Sequence, residues 1–165
     1  MSNPKILISA CLLGDSVRYD GKHKLIDHPV LKQWLDAGVL LKQCPEVSGG
    51  LSIPRAPAEI QTQTGDQIQV KTIDGDNVTK AFELGANNTL ALCLKHKIQI
   101  AILTEGSPSC GSSKINDGQF SGNKIAGEGI TTQKLRANNI KVFSHHQLEQ
   151  ASEYFQQVIK NELVD

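Results

Sequence analysis

Three cysteines in this chain each stand where an apolar run gives way to a turn-forming sequence. Cys11 precedes Leu12-Leu13-Gly14, Cys44 precedes Pro45-Glu46, and Cys110 precedes Gly111. A thiolate is a nucleophile and a soft metal ligand. Three of them can hold zinc with an open fourth position, or an iron–sulfur cluster in which one iron has no protein ligand. Their spacing is far too wide for a local zinc knuckle, so only the fold can bring them together. Cys93 is different: it falls in the middle of a helical pattern, on the apolar face, where free cysteine packs as a small hydrophobe. His23, His28, His96, His145 and His146 show no HxxxH-type spacing, and His145-His146 reads as a solvated helix start.

Other groups lie within reach of the same chemistry. Glu46 follows Cys44 by two residues, and burial or neighbouring negative charge would raise its pKa toward neutrality, where a carboxyl group can move protons. Ser107 and Ser109 flank Pro108 and can offer hydroxyls beside Cys110, although a turn-forming role fits the spacing equally well. Arg18, Tyr19 and Arg55 carry groups suited to a polar substrate. Gly49-Gly50 and Gly127-Glu128-Gly129 allow close backbone approach. No phosphate-binding P-loop, dinucleotide fingerprint or serine-hydrolase elbow is present, and Gly127 to Thr131 resembles a helix-start anion site only loosely.

The elements that must position these groups follow from hydrophobic periodicity. Lys5–Ser9, Val39–Gln43, Ile98–Thr104 and Ile140–Phe143 are short β-branched or apolar runs of the buried-strand type. Asp27–Ala37 predicts a helix, with Pro29 in its first turn and Gly38 at its end. Val78–Lys97 predicts the longest helix, with Phe82, Ala86, Leu90, Cys93 and Leu94 on one face. Thr131 or Thr132 caps a short helix to Ala137, and a last helix runs from His146 to about Leu163. Glu59–Thr72 alternates across Gly65-Asp66 and reads as a hairpin inserted beside the main sheet. Strands alternating with helices give an α/β fold, a mostly parallel sheet covered by helices on both faces in a Rossmann-like three-layer arrangement. Residues 1–165 are expected to form one domain, with 59–72 as the hairpin insertion. Cys11, Cys44 and Cys110 then all fall just past carboxyl ends of strands, the edge where open α/β sheets bind ligands.

Composition narrows the function classes. The 165 residues are 39% hydrophobic and 21% charged, which excludes disordered and collagen-like chains. Seventeen basic residues balance 17 acidic ones. Zero net charge argues against intact nucleic acid as a direct partner, because phosphate contacts need a basic face. No run approaches the length of a membrane span. Ile8-Ser9-Ala10-Cys11 superficially looks like a lipoprotein cleavage box, but the apolar stretch before it is too short for a signal peptide. A cytoplasmic location is expected, and in that reducing compartment the cysteines are free, metal-binding or catalytic.

Several segments together resemble the DUF523 family. They are Ile8–Gly14 with Val17-Arg18-Tyr19-Asp20-Gly21, Cys44-Pro45-Glu46-Val47 with Gly49-Gly50-Leu51 and Pro54-Arg55, and Ser107-Pro108-Ser109-Cys110-Gly111. Asp117–Gly122 and Gly127–Thr131 extend the resemblance through about Ile140. The resemblance implies an oxygen-sensitive 4Fe-4S cluster held by Cys11, Cys44 and Cys110 with one open iron. It also implies non-redox removal of sulfur from thiouracil-type thionucleobases, small-molecule substrates. By the same resemblance Glu46 is the acid/base and Ser107 a catalytic helper on the substrate side, while Ser109, Arg18, Tyr19, Gly49 and Arg55 are expected near the substrate. Cys93 matches no ligand position. Two other readings of three convergent thiols stay open at this point, an iron–sulfur or persulfide sulfur carrier without turnover and a zinc-stabilised structural domain. The preferred thiobase and the oligomeric state are not written in these motifs.

Overall fold

Strand alternation decides how the layers form. In β1 (Ile6–Ser9) every residue is buried, and Ile6 and Ile8 enter one core while Leu7 enters another. A strand apolar on both faces belongs inside a parallel sheet. The computed structural model, which describes residues 4–64 and 67–164, places it there. β1 pairs in parallel with β2 (Leu40–Gln43) on one side and β5 (Ile100–Leu103) on the other, and β5 pairs in parallel with β8 (Lys141–Ser144). The order is β2-β1-β5-β8.

Helices cover both faces. α1 (Pro29–Ala37) and α5 (Leu148–Val164) pack on the face of Ile6, Ile8, Ile100 and Ile102, where Trp34 meets Phe155 edge-on at 6.0 Å. On the opposite face, Cys93 of α3 (Thr79–Lys95) and Leu135 of α4 (Ile130–Ala137) pack with Leu7, Ala101 and Leu103. Each fully buried aliphatic side chain contributes roughly 1.5–3 kcal/mol of transfer free energy. α1 starts at Pro29 rather than Asp27, because the His28 Nδ1 accepts from the Val30 amide and caps the helix. It ends as expected at Gly38, which is left-handed at φ 68.

The hairpin forms from β3 (Ala58–Thr64) and β4 (Gln67–Thr72), antiparallel, with a register shift between Ile60 and Thr62. Its expected turn at Gly65-Asp66 lies outside the described residues. Ile60 and Val70 pack on Phe82 and Ala86 of α3, so the hairpin rides on that helix.

Three expectations need correction. Leu94 is 60% exposed, because α3 buries Phe82, Gly85, Ala86, Thr89 and Cys93, a stripe that turns away before Leu94. The α4 cap is Gly129; Thr131 and Thr132 lie inside the helix and fully buried. A second antiparallel pair, β6 (Lys114–Asn116) with β7 (Lys124–Ala126), forms in the glycine-rich connection, where no strand was expected. Among the described residues no helix is long and apolar enough to cross a membrane.

Candidate active site

The chain leaves β1 through α1 to β2 on one side, then crosses through α3 to β5 on the other. The strand order therefore reverses beside β1, and a crevice opens at the carboxyl ends of the strands. It is a cavity of about 450 Å³, and Cys11, Cys44 and Cys110 all line it. Cys11 lies in the 3-10 turn Ala10–Leu13 directly after β1. Cys44 follows β2 and precedes the short helix α2 (Pro45–Ser48). Cys110 sits in the loop after β5.

Local hydrogen bonds tie these sulfurs to the sheet edge. The Thr104 amide donates to Ser9 Oγ at 3.0 Å, and Ser9 Oγ donates to Cys110 Sγ at 3.9 Å. Cys11 Sγ is 3.0 Å from Thr104 Oγ1, and Cys44 Sγ approaches the Val17 carbonyl at 3.9 Å. Burial raises the pKa of all three thiols, and for Cys110 the nearby Glu46, Cys44 and Cys11 raise it further. Three thiols whose ionisation burial opposes, lining one cavity, form a donor set that a cationic group would convert to thiolates. Among the described residues no three of His, Cys, Asp and Glu stand close enough to hold a single metal ion. A cluster asks for a wider set, since each protein-ligated iron takes a thiolate of its own, and the three cysteines stand around one cavity. Cys93 faces the core instead, with its pKa pushed up to about 12 by burial.

Glu46 lines the same cavity from α2. Burial raises its pKa, and Arg55 pulls it part of the way back through an ion pair of 3.4 Å between Arg55 Nε and Glu46 Oε1. Arg55 also donates from Nη2 to the Val17 carbonyl (3.1 Å) and from Nη1 to the Ser52 carbonyl (3.0 Å). Its amide donates to the Tyr19 carbonyl at 2.8 Å. Arg55 therefore fixes the Arg18-Tyr19 segment and Glu46 to one another.

Ser107 lines the cavity and accepts the amides of Ser109 (3.2 Å) and Cys110 (2.7 Å) at its Oγ, which leaves its own proton free of those two bonds. Ser109 is placed elsewhere: it is 1% exposed, and its Oγ meets Thr131 Oγ1 at 2.7 Å beneath the loop. Gly49 is also away from the cavity; a Cβ there would sit 2.0 Å from the Ala81 carbonyl, so this glycine lets α2 lie against α3. Arg18 and Tyr19 do line the cavity.

The start of α4 holds the Cys110 loop in place. The Ile130 amide donates to the Pro108 carbonyl, and the Thr131 and Thr132 amides donate to the Ser109 carbonyl. Those helix-start donors are thus occupied by the protein, which removes the anion site loosely suggested by Gly127–Thr131. Close approach does require glycine there, since a Cβ on Gly129 would lie 2.4 Å from the Ser109 carbonyl group.

Sequence reasoning missed Glu105. Its carboxylate accepts from the amides of Gly106, Ser112, Ser113 and Lys114 and from the hydroxyls of Ser112 and Ser113. Burial works against its charge, but the Ser112 hydroxyl and these amides outweigh burial and hold the pKa down to about 2. Its only signal was an acid just past a buried strand. His145, expected in solvent, is buried and accepts the Glu105 amide at Nδ1. Burial, aided by His146 and Lys24, lowers its pKa to about 4.

Residues 6–147 match the family model described as 2-thiouracil desulfurase. The chain is 38% identical to the uncharacterized protein YbbK of Bacillus subtilis (strain 168) over 148 residues, which covers 87% of this chain and 97% of that one. It is 46% identical to the solved structure of a 4Fe-4S-dependent thiouracil desulfidase, TudS. That match has a TM-score of 0.88 and covers 94% of this chain and 99% of the other. The match spans nearly the whole chain, including all three cavity cysteines, and the chain belongs to the 2-thiouracil desulfurase family.

Proposed function

We propose that this protein removes sulfur from a small thiouracil-type base, releasing sulfide and leaving the oxo base, with Cys11, Cys44 and Cys110 holding a 4Fe-4S cluster that keeps one iron open. The observation that carries the reading is the convergence of these three cysteines, Glu46 and Ser107 on one cavity. When bound, the cluster supplies a Lewis-acidic iron that draws electron density from the substrate sulfur, so that the thiocarbonyl carbon becomes electrophilic.

The protein's own groups do the rest. Glu46 is partly buried, which raises its pKa, while the Arg55 ion pair opposes that rise. It is suited to accept a proton from attacking water and later to return one. Ser107 keeps a hydroxyl proton to donate toward a substrate heteroatom while its oxygen is pinned by two amides. Arg18 and Tyr19 bound the polar side of the cavity. The balance of charge favours a free base or other small thionated molecule over intact nucleic acid. Free cysteines throughout the chain agree with a reducing, cytoplasmic setting.

The test is sulfide release from 2-thiouracil and 4-thiouracil by protein reconstituted anaerobically with iron and sulfide. Many turnovers per protein support the reading. Release of one sulfur or fewer per protein would instead make the chain a carrier, and bound zinc without visible absorption would make the site structural.

A further inference from the structure

One wall of the cavity is built by a segment that the chemistry above does not use. Residues 117–123 connect β6 to β7, and Phe120 within them lines the cavity together with the three cysteines and Glu46. Phe120 adopts φ 54, a left-handed conformation uncommon for a bulky side chain. Such conformations persist where the surroundings over-determine them, and they concentrate at ligand clamps.

The surroundings here are specific. Glu59 of β3 is only 6% exposed, and its Oε1 accepts the amides of both Gly118 (2.9 Å) and Phe120 (3.1 Å). Gln61 Nε2 donates to the Gly118 carbonyl at 2.9 Å. Gly118, at φ 88, sits so close to β3 that a Cβ would lie 2.8 Å from the Ile60 carbonyl. A buried carboxylate on the hairpin thus pins both ends of a tight Gly-Gln-Phe turn. Glu59 lines the cavity as well, so the latch and the residue it fixes belong to one wall.

We propose that Phe120, held by Glu59, is the surface against which the planar pyrimidine ring of the substrate stacks, with Glu59 as a positioning residue. The inference rests on the desulfurase reading and deepens it. A thiouracil has polar edges and two apolar faces. Glu46, Ser107 and the open iron serve the edges, and a face needs a flat apolar partner. Tyr19 is the other aromatic residue on the cavity wall among the described residues, and it is 42% exposed at the rim. Phe120 is partly buried and backed by a fixed loop.

The experiment uses the reconstituted holoenzyme with Phe120→Leu, Phe120→Tyr and Glu59→Ala. Loss of base–aromatic stacking corresponds to roughly five- to hundredfold in affinity. Leucine retains apolar contact, so Phe120→Leu is expected to raise KM for 2-thiouracil about five- to tenfold with kcat within about threefold, the pattern of lost uniform binding. Uracil and 5,6-dihydrouracil, whose ring is puckered and not aromatic, are then compared as competitive inhibitors. The wild-type enzyme should favour uracil by several-fold. Phe120→Tyr should keep that preference, and Phe120→Leu and Glu59→Ala should move it toward one. A wild-type preference near one overturns the proposal without any variant. So does a Phe120→Leu enzyme whose KM rises while the preference stays unchanged, since that is a structural effect only. A wild-type enzyme that releases no sulfide overturns the desulfurase reading, and this proposal with it.

Discussion

Replacing Glu105 with glutamine should weaken the protein strongly at neutral pH and progressively less in acid. The carboxylate gathers the loop after β5 by accepting from four amides and two hydroxyls of residues 106–114. Its pKa falls from 4.5 to about 2 in the folded chain. A folded-state pKa below the unfolded one means that the unfolded chain binds the proton more readily. The stabilisation is therefore complete above about pH 5 and is lost as pH falls from there toward 2. At ~1.4 kcal/mol per pKa unit the drop is worth at most about 3.5 kcal/mol, and partial exposure of the side chain reduces this to about 2 kcal/mol. For a chain of this length that is a fall in Tm of about 4–8 °C at pH 7. Thermal unfolding of wild type and Glu105→Gln, each measured at pH 7 and again at pH 3, checks the reasoning. The wild type loses further stability between about pH 6.5 and 4 as the unfolded chain protonates His145, whose folded pKa is near 4. The Glu105 charge opposes that lowering of the His145 pKa, so Glu105→Gln loses slightly more than the wild type over this range, a small offset against the narrowing expected at pH 3. A Tm difference equal at both pH values, or absent at pH 7, would refute the claim that charge on Glu105 organises this loop.

Glu46→Gln should lower kcat by about a hundredfold or more with iron content and visible absorption intact, as steady-state sulfide assays beside iron analysis would show. Cys11→Ala, Cys44→Ala and Cys110→Ala should each lose iron and sulfide after anaerobic reconstitution. Cys93→Ala should retain both and cost only about 1 kcal/mol in urea unfolding, and equal iron in all four variants would remove the ligand assignment. Gly129→Ala places a Cβ 2.4 Å from the Ser109 carbonyl. It should cost about 2 kcal/mol or more and lower cluster occupancy by displacing the Cys110 loop, both readable from unfolding and iron content.

Much of the fold could be read from the chain because its signals are local. Ile6–Ile8 and Ile100–Leu103 are apolar at every position, and such runs specify interior parallel strands; Gly38 and Pro29 bracket a helix by backbone geometry alone. The position of three cysteines at strand ends then places them at the binding edge. Tertiary partners decided what was missed. Ser109 faces Thr131 and not the cavity because α4 docks its amides onto the Pro108-Ser109 backbone, a contact no local pattern encodes. Gly49 serves the packing of α2 on α3 for the same kind of reason. Thr131 and Thr132 looked like cap residues, yet Gly129 takes that position because only a residue without Cβ fits against Ser109.

The three cavity-lining glutamates show how environment sorts identical side chains into different work. Glu105 is surrounded by amide and hydroxyl donors that all prefer the charged form, so at neutral pH it cannot take a proton and serves as a fixed anchor. Glu59 gives one oxygen to two amides of a single turn, which ties its position to the shape of the wall around Phe120. Glu46 has a burial that opposes its charge and raises its pKa, with the Arg55 ion pair pulling the other way. A carboxyl group can transfer protons only where neither state is overwhelmingly preferred. Donor saturation disqualifies Glu105 from that role, whereas Glu46, without it and on the same cavity as the sulfurs, is the carboxyl group proposed for it.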